Sequence, residues 1–141
     1  MSAPEPGQEL PLAEHPIERA DLVRYAGASG DFNRIHWDDD HARAVGLPGV
    51  IAHGMYSMAL AARSVTDFAG DPRALRRLRV RFSAMIRPGQ VLTVKGSVAA
   101  VDEAGGVTLR LEAVNDDGER VLAKGEAELA PARNQSVAGG V

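Results

Sequence analysis

The sequence predicts an α+β fold in which one long helix is followed, and wrapped, by a curved antiparallel sheet. Three observations carry that expectation. In "GMYSMALAARSVTDFAG", Met55, Met58, Ala62, Val65 and Phe68 stand at offsets of 0, 3, 7, 10 and 13, which puts them on one helical face. After Asp71 and Pro72 the hydrophobic period drops to two: Leu78, Val80, Phe82 and Ala84 alternate with Arg79, Arg81, Ser83 and Met85. A length of 141 residues with 45% hydrophobic composition suits one domain with one core. Helices first and strands after is the α+β order.

Residues 1–7 hold Pro and Gly and are expected to be a mobile N-terminus, as residues 131–141 are expected to be a flexible tail, leaving one domain over 8–130. "PIERADLVRYAGAS" opens on Pro16, carries Ile17, Leu22 and Tyr25 near helical spacing, and predicts a helix over 18–28 ended by Ser29 and Gly30. "DDDHARAVG" predicts a second short helix with an Asp as N-cap and Gly46 as its stop. The long helix follows; its small residues Ala59, Ala61 and Ala62 would let a sheet come close. Beyond the first strand, "RPGQ", "DEAGG" and "NDDGE" are turns. The strands between and after them carry Leu92, Val94, Val98 and Ala100, then Leu109, Leu111 and Ala113, then Val121, Ala123 and Ala127. An open sheet of this kind leaves edges, so a dimer is expected.

Composition removes several function classes. The net charge is −3 with both signs mixed along the chain, so no nucleic-acid partner is expected. The absence of cysteine excludes a disulfide framework, a thiolate metal site and a Cys nucleophile. The start "MSAPEPGQELPLAEHP" lacks the basic and apolar regions of a secretory signal, and no window supplies about 20 apolar residues for a spanning helix. The expectation is a soluble, cytoplasmic protein without a membrane partner.

The chemistry-bearing residues concentrate in "SGDFNRIHWD". Asp31 and His36 lie five positions apart with Asn33 between them, and on a loop that spacing can turn both side chains into one cleft. A carboxylate beside an imidazole suits proton transfer, because His titrates near neutrality and Asp can fix its orientation. The plainer alternative is that Asp31 caps the turn and His36 is a loop residue. Further on, Gly54 opens the long helix, where free N–H groups and the positive dipole end suit a carbonyl or enolate oxygen; a side chain there would block approach to its amide. His53, beside it, reads first as a structural residue bonding backbone in that turn. Trp37 reads as packing beside the loop. Arg77, Arg79 and Arg81 read as a solvated sheet face, with phosphate binding as the lesser alternative. Asp38 to Asp40 read as helix caps and not a metal site.

With these residues in view, "YAGASGDFNRIHWDDDHARAVGLPGVIAHGM" resembles the hydratase motif of MaoC-like enoyl hydratases and (3R)-hydroxyacyl dehydratases, commonly Tyr/Phe-Ala-x-x-Ser-Gly-Asp-x-Asn-Pro-x-His followed by Ala-His-Gly-Met. "RVRFSAMIRPGQVL" is similar to the family's Arg-Phe-x-x-Pro-Val-x-Pro-Gly-Asp strand and turn, so the likeness covers about residues 8–130, most nearly the small single-domain HadB-like members. The resemblance implies a hot-dog fold, usually dimerised into one continuous sheet. It implies Asp31 and His36 as the acid/base pair handling water, the Gly54 amide as donor to a thioester carbonyl, and Asn33, Ser29 and His53 as supports. It implies no metal and no cofactor, coenzyme A or phosphopantetheine being part of an acyl-CoA or acyl carrier protein substrate. A homodimer is expected, with a heterodimer of two hot-dog subunits as the alternative. Two departures stand out: Arg34 replaces the motif's Pro, and "MIRPGQ" replaces Pro-Val-x-Pro-Gly-Asp. Some hydratases also carry a Ser near the position of Ala62.

The expected activity is a lyase of fatty-acid type: hydration of trans-2-enoyl thioesters, or dehydration of (3R)-hydroxyacyl thioesters. A hot-dog acyl thioesterase and a non-catalytic acyl-binding partner subunit are the competing readings. Retention of both Asp31 and His36 weighs against the scaffold.

Overall fold

The computed structural model describes residues 2–133, and the part of the C-terminal tail beyond 133 lies outside them. In chain order the elements are β1 (Ala13–Pro16), α1 (Arg19–Ser29), a 3₁₀ turn (Arg34–His36), α2 (Asp39–Ala44), α3 (Gly54–Ala69), a second 3₁₀ turn (Pro72–Ala74), β2 (Leu75–Phe82), β3 (Val91–Val101), β4 (Val107–Val114) and β5 (Arg120–Leu129). The strands form one antiparallel sheet in the order β1-β3-β4-β5-β2, with β1 and β2 at its edges. The sheet curves around α3, which packs against β2, β3 and β5, as in the hot-dog fold.

Local chemistry explains the helix ends. Glu18 N–H donates to Asp21 Oδ2 at 3.1 Å, half of a capping box that starts α1, and Gly30 stops it in the left-handed region at φ 76°. Asp38 caps α2 by accepting from His41 N–H at 3.1 Å, while Asp39 accepts from Val50 N–H at 3.0 Å and pairs with Arg19 at 2.9 Å. Those bonds from backbone N–H groups, then from Arg34 and Arg19 respectively, hold both carboxyls below the ordinary Asp value.

The buried row of α3 differs from the expected one. Ser57, Ala61 and Val65, spaced by four, face the sheet, whereas Met55 is 56% exposed. Small side chains let the sheet approach along that row, and the longer Met58 and Phe68 sit on its flanks. Ala61 belongs to a core half with Ile17, Leu22, Ile86, Leu92 and Leu122, and Val65 to a second half with Val98, Leu109 and Leu129.

Curvature has a visible cause in the sheet. Gly96 and Gly125 flank Leu111 in register on β3 and β5. A Cβ on Gly96 would lie 2.6 Å from Leu111 Cδ2, and one on Gly125 would lie 2.5 Å from the Leu111 carbonyl oxygen, so only glycine permits strands this close.

Strand β1 precedes the helices and was not expected; it is a four-residue edge pairing with β3. Ahead of it, Gly7 N–H donates to Val98 O at 2.8 Å and Leu10 N–H to Gly96 O at 2.9 Å. Two expected strand positions shift: β2 ends at Phe82, before Ala84, and a bulge after Val98 turns Ala100 outward. Arg77 and Arg79 do lie on an exposed face, opposite Glu128 and Glu126 at 3.8 and 3.7 Å. Among the described residues, no helix is long and apolar enough to cross a membrane.

Candidate active site

The segment joining α1 to the first 3₁₀ turn is built by side chains reaching two residues ahead. Ser29 Oγ donates to Tyr25 O at 2.7 Å and accepts from Asp31 N–H at 3.1 Å. Asp31 Oδ1 accepts from Asn33 N–H at 3.2 Å, and Asn33 Oδ1 accepts from Ile35 N–H at 3.2 Å, capping the turn that carries His36. Ser29 and Asn33 are therefore the loop's framework. Trp37 braces it by donating its indole N–H to Phe32 O at 3.0 Å.

His36 is buried, and its Nδ1 lies 2.7 Å from the Ile51 carbonyl oxygen. A carbonyl can only accept, so Nδ1 carries the proton and donates, leaving the Nε2 lone pair for the site. That Nε2 stands 3.7 Å from Asp31 Oδ2, whose side chain is 52% exposed. The separation exceeds a hydrogen bond, yet both atoms lie within bonding reach of one small molecule placed between them.

His53 completes the wall and has more contacts than a turn residue needs. Its Nε2 lies 3.1 Å from Asp31 O and donates to it, and its ring stacks on His36 with centroids 3.7 Å apart and planes 21° apart. Tyr25 meets the same ring edge-on at 4.8 Å. Burial lowers the basicity of His53, opposed by the bond to Asp31 O and aided by His36, which favours the neutral form of this imidazole.

Gly54 follows directly as the first residue of α3, where its amide has no acceptor within the helix. Its φ is ordinary, so space and not backbone freedom accounts for glycine: a Cβ would lie 3.0 Å from two Phe82 ring carbons. Phe82 is 50% exposed and roofs this spot.

Arg34, where the resemblance led us to expect Pro, is not a free cation. Its Nη2 and Nε reach Asp38 Oδ2 at 2.7 and 3.2 Å, so an ion pair stiffens the position that a ring would otherwise fix. A cleft of about 250 Å³ is lined by Asp21, Arg24, Tyr25, Ala28 and Tyr56, and its Tyr25 is the ring that meets His53.

Asp31, His36 and His53 each offer a ligand atom within 4.8 Å of the others, which raises the question of a metal. The stacked rings answer against it. Nearly parallel imidazoles aim their lone pairs along adjacent planes, and one ion about 2.0–2.1 Å from both nitrogens would lie far out of each plane.

Sequence reasoning placed Asp31, His36, Asn33, Ser29, His53 and Gly54 in one site, and the fold brings all six together. It missed the Ile51 carbonyl, Tyr25 and Phe82, and it missed Ser57, whose signal is a hydroxyl interrupting the apolar row four residues after His53.

Comparisons with known proteins place the fold and the family. The fatty acid synthase β subunit TOXC of Cochliobolus carbonum is 36% identical over 134 residues, 92% of this chain, although the chain spans only 6% of that relative's length. The solved R-hydratase PhaJ1 from Pseudomonas aeruginosa superposes with a TM-score of 0.83 at 30% identity, over 92% of this chain and 83% of that one. The ChsH1-ChsH2 complex from Mycobacterium tuberculosis contains a chain matching with a TM-score of 0.82 at 26% identity, over 91% of this chain and 98% of its own. Residues 2–116 match the model of the MaoC like domain, and it is to that family that this chain belongs.

Proposed function

We propose that the protein is a hydratase/dehydratase that adds water to trans-2-enoyl thioesters, or removes it from (3R)-hydroxyacyl thioesters, of coenzyme A or an acyl carrier protein. The observation that carries this reading is the open 3.7 Å gap between His36 Nε2 and Asp31 Oδ2, beside the N-terminus of α3. A water in that gap can bond both atoms. Hydration then forms the C3–O bond as one water proton passes to the pair, and the pair returns a proton to C2. The Gly54 amide and the positive end of the 16-residue α3 are placed to stabilise the negative charge that develops on the thioester oxygen.

Since Nδ1 of His36 is committed to Ile51, the protons exchanged with water and substrate pass through Nε2 and the Asp31 carboxylate. The thioester itself acidifies the C2 proton, so the reaction as proposed needs no metal and no separate cofactor. The two groups stand on one side of any planar enoyl group lying against them, which implies addition of H and OH to the same face. PhaJ1, an R-hydratase at 30% identity, supports both the reaction and its hand.

We further propose that the working unit is a dimer. Among the described residues β1 and β2 are bonded on one side only, and pairing of an edge with a second hot-dog subunit would extend the sheet. Exposed Phe32, Met55 and Phe82 crowd the site and would gain cover from that subunit. A second copy is the first expectation, and the two-subunit complex among the similar structures keeps a homologous partner as the alternative.

The test uses crotonyl-CoA. Loss of enoyl absorbance with no free thiol supports the reading; thiol release would make the protein a thioesterase; no reaction with CoA or carrier-protein substrates, alone or with a homologous partner, would make it a scaffold.

A further inference from the structure

Two buried polar atoms near the site have no hydrogen-bond partner among the described residues, His53 Nδ1 and Ser57 Oγ. Both residues are 1% exposed, and they are four apart at the start of α3, where Ser57 N–H donates to His53 O at 3.3 Å. His53 caps α3 and Ser57 lies one turn into it, where helix side chains lean toward the N-terminus, the end that His53 occupies. Their chemistry is complementary. Because His53 Nε2–H donates to the Asp31 carbonyl, Nδ1 of that tautomer is a lone-pair acceptor, and a serine hydroxyl is a rotatable donor. Leaving both unpaired is costly in a dry interior, and a bond between them, direct or through one water, would satisfy both.

We infer that Ser57 is a positioning residue of the acid/base site: its hydroxyl donates to His53 Nδ1, and so fixes the ring that holds the backbone of Asp31 and the face of His36. The resulting line runs from Ser57 to His53 to Asp31 and ties the central helix to the loop, with His36 stacked on its middle member and Tyr25 set against the same ring. Ser57 touches no reacting atom; it acts through His53. The kinetic part of this inference rests on the hydratase reading, whereas the bond itself does not.

Two measurements separate them. In the full-length protein, long-range proton–nitrogen NMR of the imidazoles reads the tautomer of His53 and whether Nδ1 accepts a hydrogen bond, with no substrate present. Steady-state kinetics with crotonyl-CoA then compare Ser57→Ala and Ser57→Thr. The expected result is an Nδ1 resonance that moves in Ser57→Ala and returns in Ser57→Thr. With it, kcat falls about 10-fold in the alanine variant at a KM within about 2-fold, and recovers with threonine. An alanine variant with an unchanged Nδ1 resonance overturns the bond, most plainly if its Tm rises as expected for removal of an unpaired buried hydroxyl. A moved resonance with unchanged kcat overturns the positioning role.

Discussion

Asp31→Asn is the most informative single change, because the structure separates what it removes from what it keeps. Asn at this position retains Oδ1 to accept from Asn33 N–H, now 3.2 Å away, and the backbone carbonyl that His53 holds at 3.1 Å is untouched. What goes is the negative charge and the proton-accepting capacity 3.7 Å from His36 Nε2. The side chain is half exposed and its pairing is long, so stability should stay within about 0.5 kcal/mol of the parent. Removal of a positioned acid or base costs about 10²- to 10⁴-fold in rate, or about 2.7–5.4 kcal/mol in the barrier at 1.36 kcal/mol per decade. KM should change far less, since the α3 amide and the cleft walls remain. The assay follows enoyl absorbance of crotonyl-CoA at saturating substrate, alongside a thermal melt of the same sample. A folded variant with kcat within tenfold of the parent would refute the assignment of Asp31 to proton transfer.

Three further outcomes follow from the geometry. Thermal stability should decline as pH drops through and below 6.5: burial depresses His53, so there the unfolded chain binds a proton that the folded chain refuses, and stability rises with pH over that window. Asp38 and Asp39, held below 3.8, add stability above that value that is lost as pH falls further; a flat Tm between pH 7 and pH 4 would contradict the His53 effect, and a flat Tm below pH 4 the carboxylate effect. Gly54→Ala should displace the Phe82 ring 3.0 Å from the new methyl and lower kcat/KM at least about tenfold with little loss of Tm; parent-like kinetics would remove the Gly54 amide from the site. Gly125→Ala should cost about 1–3 kcal/mol in urea unfolding, because the backbone oxygen 2.5 Å from the added carbon cannot rotate away; an unchanged midpoint would show that the sheet's curvature does not depend on this glycine.

How much of this was legible depends on whether residue type or backbone carries the information. The hydrogen-bonded loop was readable because Ser29, Asp31, Asn33 and His36 lie within one short stretch and each bonds through its side chain. The Ile51 carbonyl that fixes the tautomer of His36 was not, since every residue has a carbonyl and only the fold says which one is near. The existence of α3 followed from its period, but its buried face did not. Methionines count as apolar wherever they point, and the contact row is instead chosen by Ser57, Ala61 and Val65, small enough for the sheet to close on them. β1 was hidden because "AEHP" is short and half polar, and its partner β3 lies far along the chain. Bulges such as the one after Val98 are set by the pairing of two strands, which neither strand's own alternation announces.

The stepwise bonding of Ser29, Asp31 and Asn33 bears on how such a site can be inherited. Each rung closes over two residues, and the long-range ties among the described residues, at Ile51 and His53, fall just before α3. The groups proposed for proton transfer thus lie in one uninterrupted stretch of chain, while the strands beyond it would supply walls. Recombination that exchanges this stretch as a block would transplant the chemistry intact, and drift in the sheet would alter which acyl groups fit without disturbing it. A one-residue deletion between Ser29 and Ile35, by contrast, would put every rung out of phase at once.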